Sequence, residues 1–211
     1  MKGYEKWSDY KIGQIKFVNR NRDHPHRQVF IDFVTENCDS VLEIGPGELI
    51  EYQVIKKQKP PIQYAAVDVS DLFVSHCKQN FPEITVIQNT MEDFETDQEF
   101  DVVYGSSVLE HSYDVVKCVN NIVSKAKKFH FVLFKWHYEG DLTAKYHPPK
   151  KYWTSEFNIW MLLDVIREVG DIDQINLVCR NGDIIDFQEY SKDKTGMHRN
   201  GDYLIIHGRR K

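Results

Sequence analysis

The stretch Val41–Leu49, VLEIGPGEL, decides how this chain folds. Val41, Leu42 and Ile44 read as a short buried strand. Gly45 and Gly47 then turn the chain into a helix, ELIEYQVIKKQ, which Pro60-Pro61 ends. A strand-to-helix turn with two glycines lets a ligand approach the backbone closely, and the next helix offers N–H groups unpaired within it. The usual guest of such a turn is a pyrophosphate. Glu43 and Glu48 flank these glycines, and two carboxylates repel phosphate while favouring a cation or hydroxyl donors.

The next strand, YAAVDV, brings Asp68 to its end. From there an acid reaches ribose hydroxyls in a nucleotide-binding unit. The ligand implied has a ribose, no phosphate and some positive charge. S-adenosylmethionine, with its ammonium and sulfonium, meets that description.

Further out the pattern alternates. DHPHRQVFIDFVTENC reads as a helix before the first strand: Asp23 can cap it, Pro25 fits its first turn, and Val29, Phe30, Phe33 and Val34 share a face. DLFVSHCKQN is a helix opening at Ser70 or Asp71. TVIQ and FDVVYG are strands, Val115, Val116, Val119, Ile122 and Val123 follow at helical spacing, and KFHFVLF is a fifth strand. Strands and helices in this order predict a parallel sheet with helices on both faces. TSEFNIWMLLDVIREVG is then an amphipathic helix with Ile159, Leu162, Leu163, Ile166 and Val169 on one face and Gly170 as its end. QINLVCR and DYLIIHG are two final strands, separated by a polar excursion with turn signals at Asn181-Gly182 and Asn200-Gly201.

Composition narrows the class. The chain has 211 residues, 41% hydrophobic and 28% charged, which suits one soluble domain. No apolar run approaches the roughly 18 residues a membrane helix needs, and the N-terminus has no secretory pattern, so the expected location is cytoplasmic. Cys38, Cys77, Cys118 and Cys179 are widely spaced and suggest neither disulfides nor a zinc site. The net charge of −5 with scattered basic residues disfavours a general nucleic-acid surface.

Four segments in order resemble the class I S-adenosylmethionine-dependent methyltransferases, particularly those acting on small molecules. VLEIGPGEL is similar to their first motif, AAVDVSD to the second, QNTMEDF to the adenine loop after the third strand, and FDVVYGSSVLEHSYD to the fourth-strand motif with its LEH. The resemblance covers about residues 27 to 135 well and the rest more loosely. It implies a Rossmann-like doubly wound α/β fold: a mostly parallel seven-stranded sheet with an antiparallel last strand and helices on both faces. The chain would be a single domain over 1–211, with 1–26 as an N-terminal cap over the substrate site. Two positions depart from the pattern. The third glycine is Leu49 here, and the acid of the adenine loop aligns with Thr90. YGSS stands where an amino-methylating nucleic-acid enzyme would show an Asn-Pro-Pro-Tyr-like motif.

The resemblance assigns cofactor contacts to Glu43, Gly45, Gly47, Asp68 and its neighbour Val69. Thr90, Met91 and Glu92 fall at the adenine, and Ser106 and Ser107 at the methionine part. His111 falls near the rim of the active site. KWHYEGD and KYHPPKKYW would form a wall of the substrate pocket, stiffened at Pro148-Pro149. They are dense in aromatic and titratable groups: His137, Tyr138, Tyr146, His147 and Trp153. His24 and His26 can cover the same pocket. His137, His147 and His111 are the candidate proton acceptors, since an imidazole titrates near neutrality. With Glu139 and Asp141 these histidines match no metal-ligand spacing, so no metal is expected. The expected activity is methyl transfer to a small-molecule acceptor by in-line displacement. A non-catalytic cofactor-binding module, a nicotinamide-dependent oxidoreductase, and a protein or RNA methyltransferase are the competing readings. Glu43 disfavours the second, and the lack of a basic groove beyond KKQK and SKAKK disfavours the third.

Overall fold

The computed structural model describes residues 23–148, 152–192, 194, 197–198 and 201–211. The expected cap over residues 1–26 lies outside them apart from residues 23–26, as do Pro149 and Asn200.

The chain opens with helix α1 (Pro25–Asn37) and strand β1 (Ser40–Ile44). It continues through α2 (Ile50–Gln58), β2 (Gln63–Asp68), α3 (Asp71–Asn80), β3 (Thr85–Gln88) and β4 (Phe100–Ser106). A short 3-10 turn, Leu109–His111, leads to α4 (Val115–Val123) and β5 (Ala126–Leu133). The order of these elements is the one the sequence predicts.

One eight-stranded sheet has the order β10 (Ile184–Asp186), β9 (Gly170–Val178), β12 (Tyr203–Arg210), β5, β4, β1, β2, β3. Strands β1 to β5 are parallel to their neighbours. β12 (Tyr203–Arg210) is antiparallel to both β5 and β9 (Gly170–Val178). The expected antiparallel last strand is therefore present. The expectation of seven strands is corrected by β10 (Ile184–Asp186), which folds back antiparallel on β9 within the excursion read as polar turns. Its three residues, Ile184, Ile185 and Asp186, are exposed, and so short a run carries no alternation that marks a strand.

Central strands are covered on both sides, and side chains alternate between the two faces. Leu42, Ile44, Val103, Phe129, Phe131 and Leu133 face α4 and α5 (Ile159–Val169), against Val119, Ile122, Leu162 and Ile166. Val41, Ala66, Val102, Tyr104, Val132 and Ile205 face α1, α2 and α3, against Phe30, Val34, Tyr52, Ile55 and Cys77.

Three boundaries differ from expectation. α1 is capped by His24, whose side chain accepts from the backbone N–H of His26, because Asp23 stands one residue too early. α5 begins at Ile159 behind an Asn158 cap that accepts from Trp160 N. Thr154–Glu156, read as its first turn, belong instead to β8 (Tyr152–Glu156), paired antiparallel with β7 (Thr143–His147). The segment read as a loop wall is thus a hairpin. β6 (Trp136–His137) pairs with β11 (Met197–His198), and α6 (Phe187–Ser191) follows β10.

Leu49, the departure from the glycine pattern, takes φ 54° and ψ 45° as the residue before α2. A left-handed conformation costs a non-glycine residue about 1–2 kcal/mol. Its side chain is fully buried in the α1–α2–α3 face, and that burial offsets the cost.

Candidate functional site

The parallel register sets Ile44 of β1 beside Val67 of β2 and Gly105 of β4, so these strands end together. Ligands of open α/β sheets bind at that edge. A cleft of about 510 Å³ lies there, within the range of small-ligand sites.

Gly45 and Gly47 form its floor, with φ of +64° and +53°. A Cβ on Gly45 would come within 2.6 Å of Val108, whereas nothing lies within 4 Å of the Cβ position on Gly47. The first glycine is needed for packing as well as for its dihedral. The second leaves the backbone open to a ligand.

Asp68 lines the cleft and is 8% exposed. Its Oδ1 accepts from Ser70 N at 2.8 Å, which aims the carboxyl. Burial pushes it up to about 6. A buried carboxyl aimed by backbone N–H groups suits a ribose diol. Val69 and Phe73 add apolar surface beside it.

Glu43 explains the acid in the opening stretch. It is 3% exposed, and its Oε2 accepts from Tyr64 Oη at 2.8 Å. Burial and then the charge of Glu51 raise it well above the usual carboxylate range. Arg27 pairs with Glu51, whose Oε1 also accepts from Tyr104 Oη at 2.9 Å. This end of the cleft therefore holds two buried carboxyls and a guanidinium already engaged. A bound cation would favour the ionised form of Glu43.

Sequence reading did not select Arg27 or Glu51. Arg27 stands at helical spacing with Phe30, Ile31 and Val34, the buried face of α1, and Glu51 with Ile55 on α2. A charged residue on an apolar helical face was the available signal.

At the end of β4, Ser106 and Ser107 both line the cleft. Ser107 has φ 55°, and its buried Oγ has no hydrogen-bond partner among the described residues. Strain of this kind collects at functional sites. Thr90 and Met91 line the opposite end. The Thr90 hydroxyl donates to Asp93 at 3.0 Å. Glu92 is turned away from the cleft: it accepts from Ser112 Oγ at 2.7 Å and Tyr113 N at 2.9 Å, bracing the chain before α4.

The three candidate histidines separate. His111 lines the cleft, its Nδ1 3.3 Å from the carbonyl of Trp153. His147 stands one residue back, with Nε2 2.6 Å from the hydroxyl of Thr154, which does line it. His137 is in β6, paired with β11, and does not line the cleft. Among the described residues of KWHYEGD and KYHPPKKYW, Lys135 and Tyr152 line the cleft and His137, Tyr138, Tyr146, His147 and Trp153 do not; Thr154 and Ser155 of β8 line it beside Tyr152. Glu110 also lines the cleft. Its Oε1 accepts from Phe134 N at 2.7 Å, and burial pushes it up to about 7. Among the described residues no group of three or more His, Cys, Asp or Glu could hold a metal ion.

These residues suit S-adenosylmethionine. An aimed carboxyl is present for the ribose, an open glycine turn for close approach, and a buried carboxyl, Glu43, that an ammonium would ionise.

Residues 42–128 match a family model described as a methyltransferase domain. No curated protein matches the chain. Among solved structures, it is similar to an O-methyltransferase of a trans-AT PKS multienzyme of Brevibacillus brevis, in complex with S-adenosyl-L-homocysteine. The TM-score is 0.69 and the identity 13%, over 90% of this chain and 73% of that one. It is also similar to a 1,6-didemethyltoxoflavin-N1-methyltransferase of Burkholderia thailandensis, with its namesake compound and S-adenosylhomocysteine bound (0.65, 14%, over 94% and 82%). A third is the N-methyltransferase NodS of Bradyrhizobium japonicum, in complex with S-adenosyl-L-homocysteine (0.61, 12%, over 98% and 95%). At these identities the likeness is one of fold.

Proposed function

We propose that the chain is a class I S-adenosylmethionine-dependent methyltransferase, a reading supported by the methyltransferase domain matched at residues 42–128 and by the fold, and that it methylates a small-molecule acceptor. The observation that carries this reading is the wall over the cleft. Tyr152, Thr154 and Ser155 of β8, with His111, enclose a space sized for a small ligand beside the glycine turn. Solved structures of similar fold include enzymes of small molecules, which supports the same reading.

The cofactor supplies an electrophilic methyl and a neutral leaving group. Asp68 accepts from the ribose hydroxyls, and the Gly45–Gly47 turn admits the chain of the ligand. Glu43 meets the cationic end. Met91, Val69 and Phe73 give the apolar surface for the base. The hairpin excludes water and fixes the line of approach, which is where most of the rate gain in such a displacement arises. His111 is the proton acceptor within reach of the cleft. His147 acts through Thr154.

Calorimetry with S-adenosylmethionine and S-adenosylhomocysteine tests the first half, with binding expected at micromolar to millimolar concentrations. Incubation of a metabolite extract with methyl-labelled cofactor tests the second, and label is expected in a low-mass product. Label recovered only in protein or RNA would overturn the small-molecule reading. Folded protein with no cofactor binding would overturn the whole.

A further inference from the structure

His24 and His26 stand at the start of α1, where Pro25 fixes the first turn. His26 is 1% exposed and lines the cleft, its ring stacked on Tyr203 with centroids 4.1 Å apart. Burial lowers the pKa of both histidines, so both are neutral near pH 7.

Their hydrogen bonds then fix their tautomers. His24 Nε2 lies 3.2 Å from the carbonyl of Gly201. A carbonyl only accepts, so His24 carries its proton on Nε2 and a lone pair on Nδ1. That lone pair faces the backbone N–H of His26 at 3.3 Å and His26 Nδ1 at 2.9 Å. His26 therefore carries its proton on Nδ1 and presents an unprotonated Nε2. This atom lies 3.5 Å from Ser106 Oγ, at the end of β4. Arg27 is tied to Glu51, and Glu43, held protonated by burial in the free protein, lines the same end of the cleft, where a bound cation would draw it into its ionised form. The acceptor wall of β8 contributes none of these groups.

We propose that His26 Nε2 accepts a hydrogen bond from the ammonium of the cofactor's methionine part, and that His24 and the Gly201 carbonyl are positioning groups that hold it in the accepting tautomer. The inference rests on the cofactor reading above. It adds a cofactor contact from the segment before β1, outside the matched domain.

The test uses two probes on the full chain. S-adenosylhomocysteine carries the ammonium, and 5′-methylthioadenosine has the same nucleoside and thioether without the amino acid. Nitrogen-15 NMR of the histidines should show His26 protonated on Nδ1 only. Its Nε2 resonance should move with S-adenosylhomocysteine and stay with methylthioadenosine. His26→Phe keeps a ring against Tyr203 and should weaken S-adenosylhomocysteine about tenfold or more, with methylthioadenosine unchanged. His24→Phe should weaken it by a smaller factor and release His26 into a mixture of tautomers. A proton on His26 Nε2, an unmoved resonance, or equal weakening of both probes would each overturn the proposal. The NMR arms use unsubstituted protein, so they stand if a variant fails to fold. Failure of S-adenosylhomocysteine to bind the unsubstituted protein would instead overturn the cofactor reading, and this proposal with it.

Discussion

At the scale of single residues, Asp68 makes the sharpest demand. Burial raises its carboxyl to about 6, and only the ionised form accepts from two ribose hydroxyls. In the ligand-free protein a raised carboxyl contributes stability at low pH that is lost as pH rises from its ordinary value of 3.8 to about 6. For ligand binding the sign reverses. Affinity for S-adenosylhomocysteine should rise as pH passes through about 6 and then level off. Asp68→Asn should weaken binding at least tenfold at the plateau, since each charge-assisted bond is worth about 1.5–3 kcal/mol. It should also flatten the rise. Calorimetry from about pH 5 to about pH 8 checks both, and a rise that survives in the variant would assign it to another group.

Glu43, Gly45, Gly47 and Asp68 were legible in the sequence because each depends on its place in a local strand-and-turn pattern. Arg27 and Glu51 were not, because their pairing joins two helices that are separate in sequence and are brought side by side only by packing on the same face of the sheet. Glu92 was placed at the adenine by alignment alone. Its orientation depends on Ser112 and Tyr113, which a local reading does not bring near it.

At the scale of elements, the sequence was clearest where apolar spacing is long and regular, as in α4 and α5, and weakest at the hairpin. Tyr152–Glu156 mixes aromatic and polar residues with only Ser155 buried, so its strand character comes from pairing with β7 and from contact with the 3-10 turn. The packing of α1 on the sheet carries a different signature. His130 of β5 is paired across the ladder with His207 of β12, under Phe30 and Phe33. It is 2% exposed, and neither ring nitrogen has a hydrogen-bond partner among the described residues. Burial, with the adjacent His207, lowers it to about 3. The folded state thus holds it neutral. This stability is fully present above the ordinary value of 6.5 and is lost as pH falls from there towards 3, at about 1.4 kcal/mol per unit for one proton. His130→Phe keeps an aromatic ring and removes two unpaired polar atoms. Thermal unfolding should show unchanged or higher stability near pH 7 and a shallower loss in acid. A large loss at neutral pH would mean that the imidazole is hydrogen-bonded.

At the scale of the whole molecule, the parallel half of the sheet followed from strand and helix alternation. The other half did not. The insertion of β12 between β5 and β9 rests on pairings between residues far apart in sequence, and no local pattern specifies them. The eighth strand is three residues long, too short for its two isoleucines to show an alternating pattern. The cleft reflects the same division: its floor comes from the legible half, whereas its stacked wall at His26 needs Tyr203 from β12.

The position of β12 also has a consequence for how the protein is made. A ribosome delivers β5 and β9 before the strand that lies between them. Until residues 203–210 leave the exit tunnel, both strands present unpaired backbone to solvent or to a chaperone, and the face that will receive Tyr203 stays open. Nascent chains arrested before Tyr203 emerges should therefore be cut readily by protease within β9, and chains extended until Arg210 is clear should resist. Equal resistance in both would mean that the sheet closes early by another pairing.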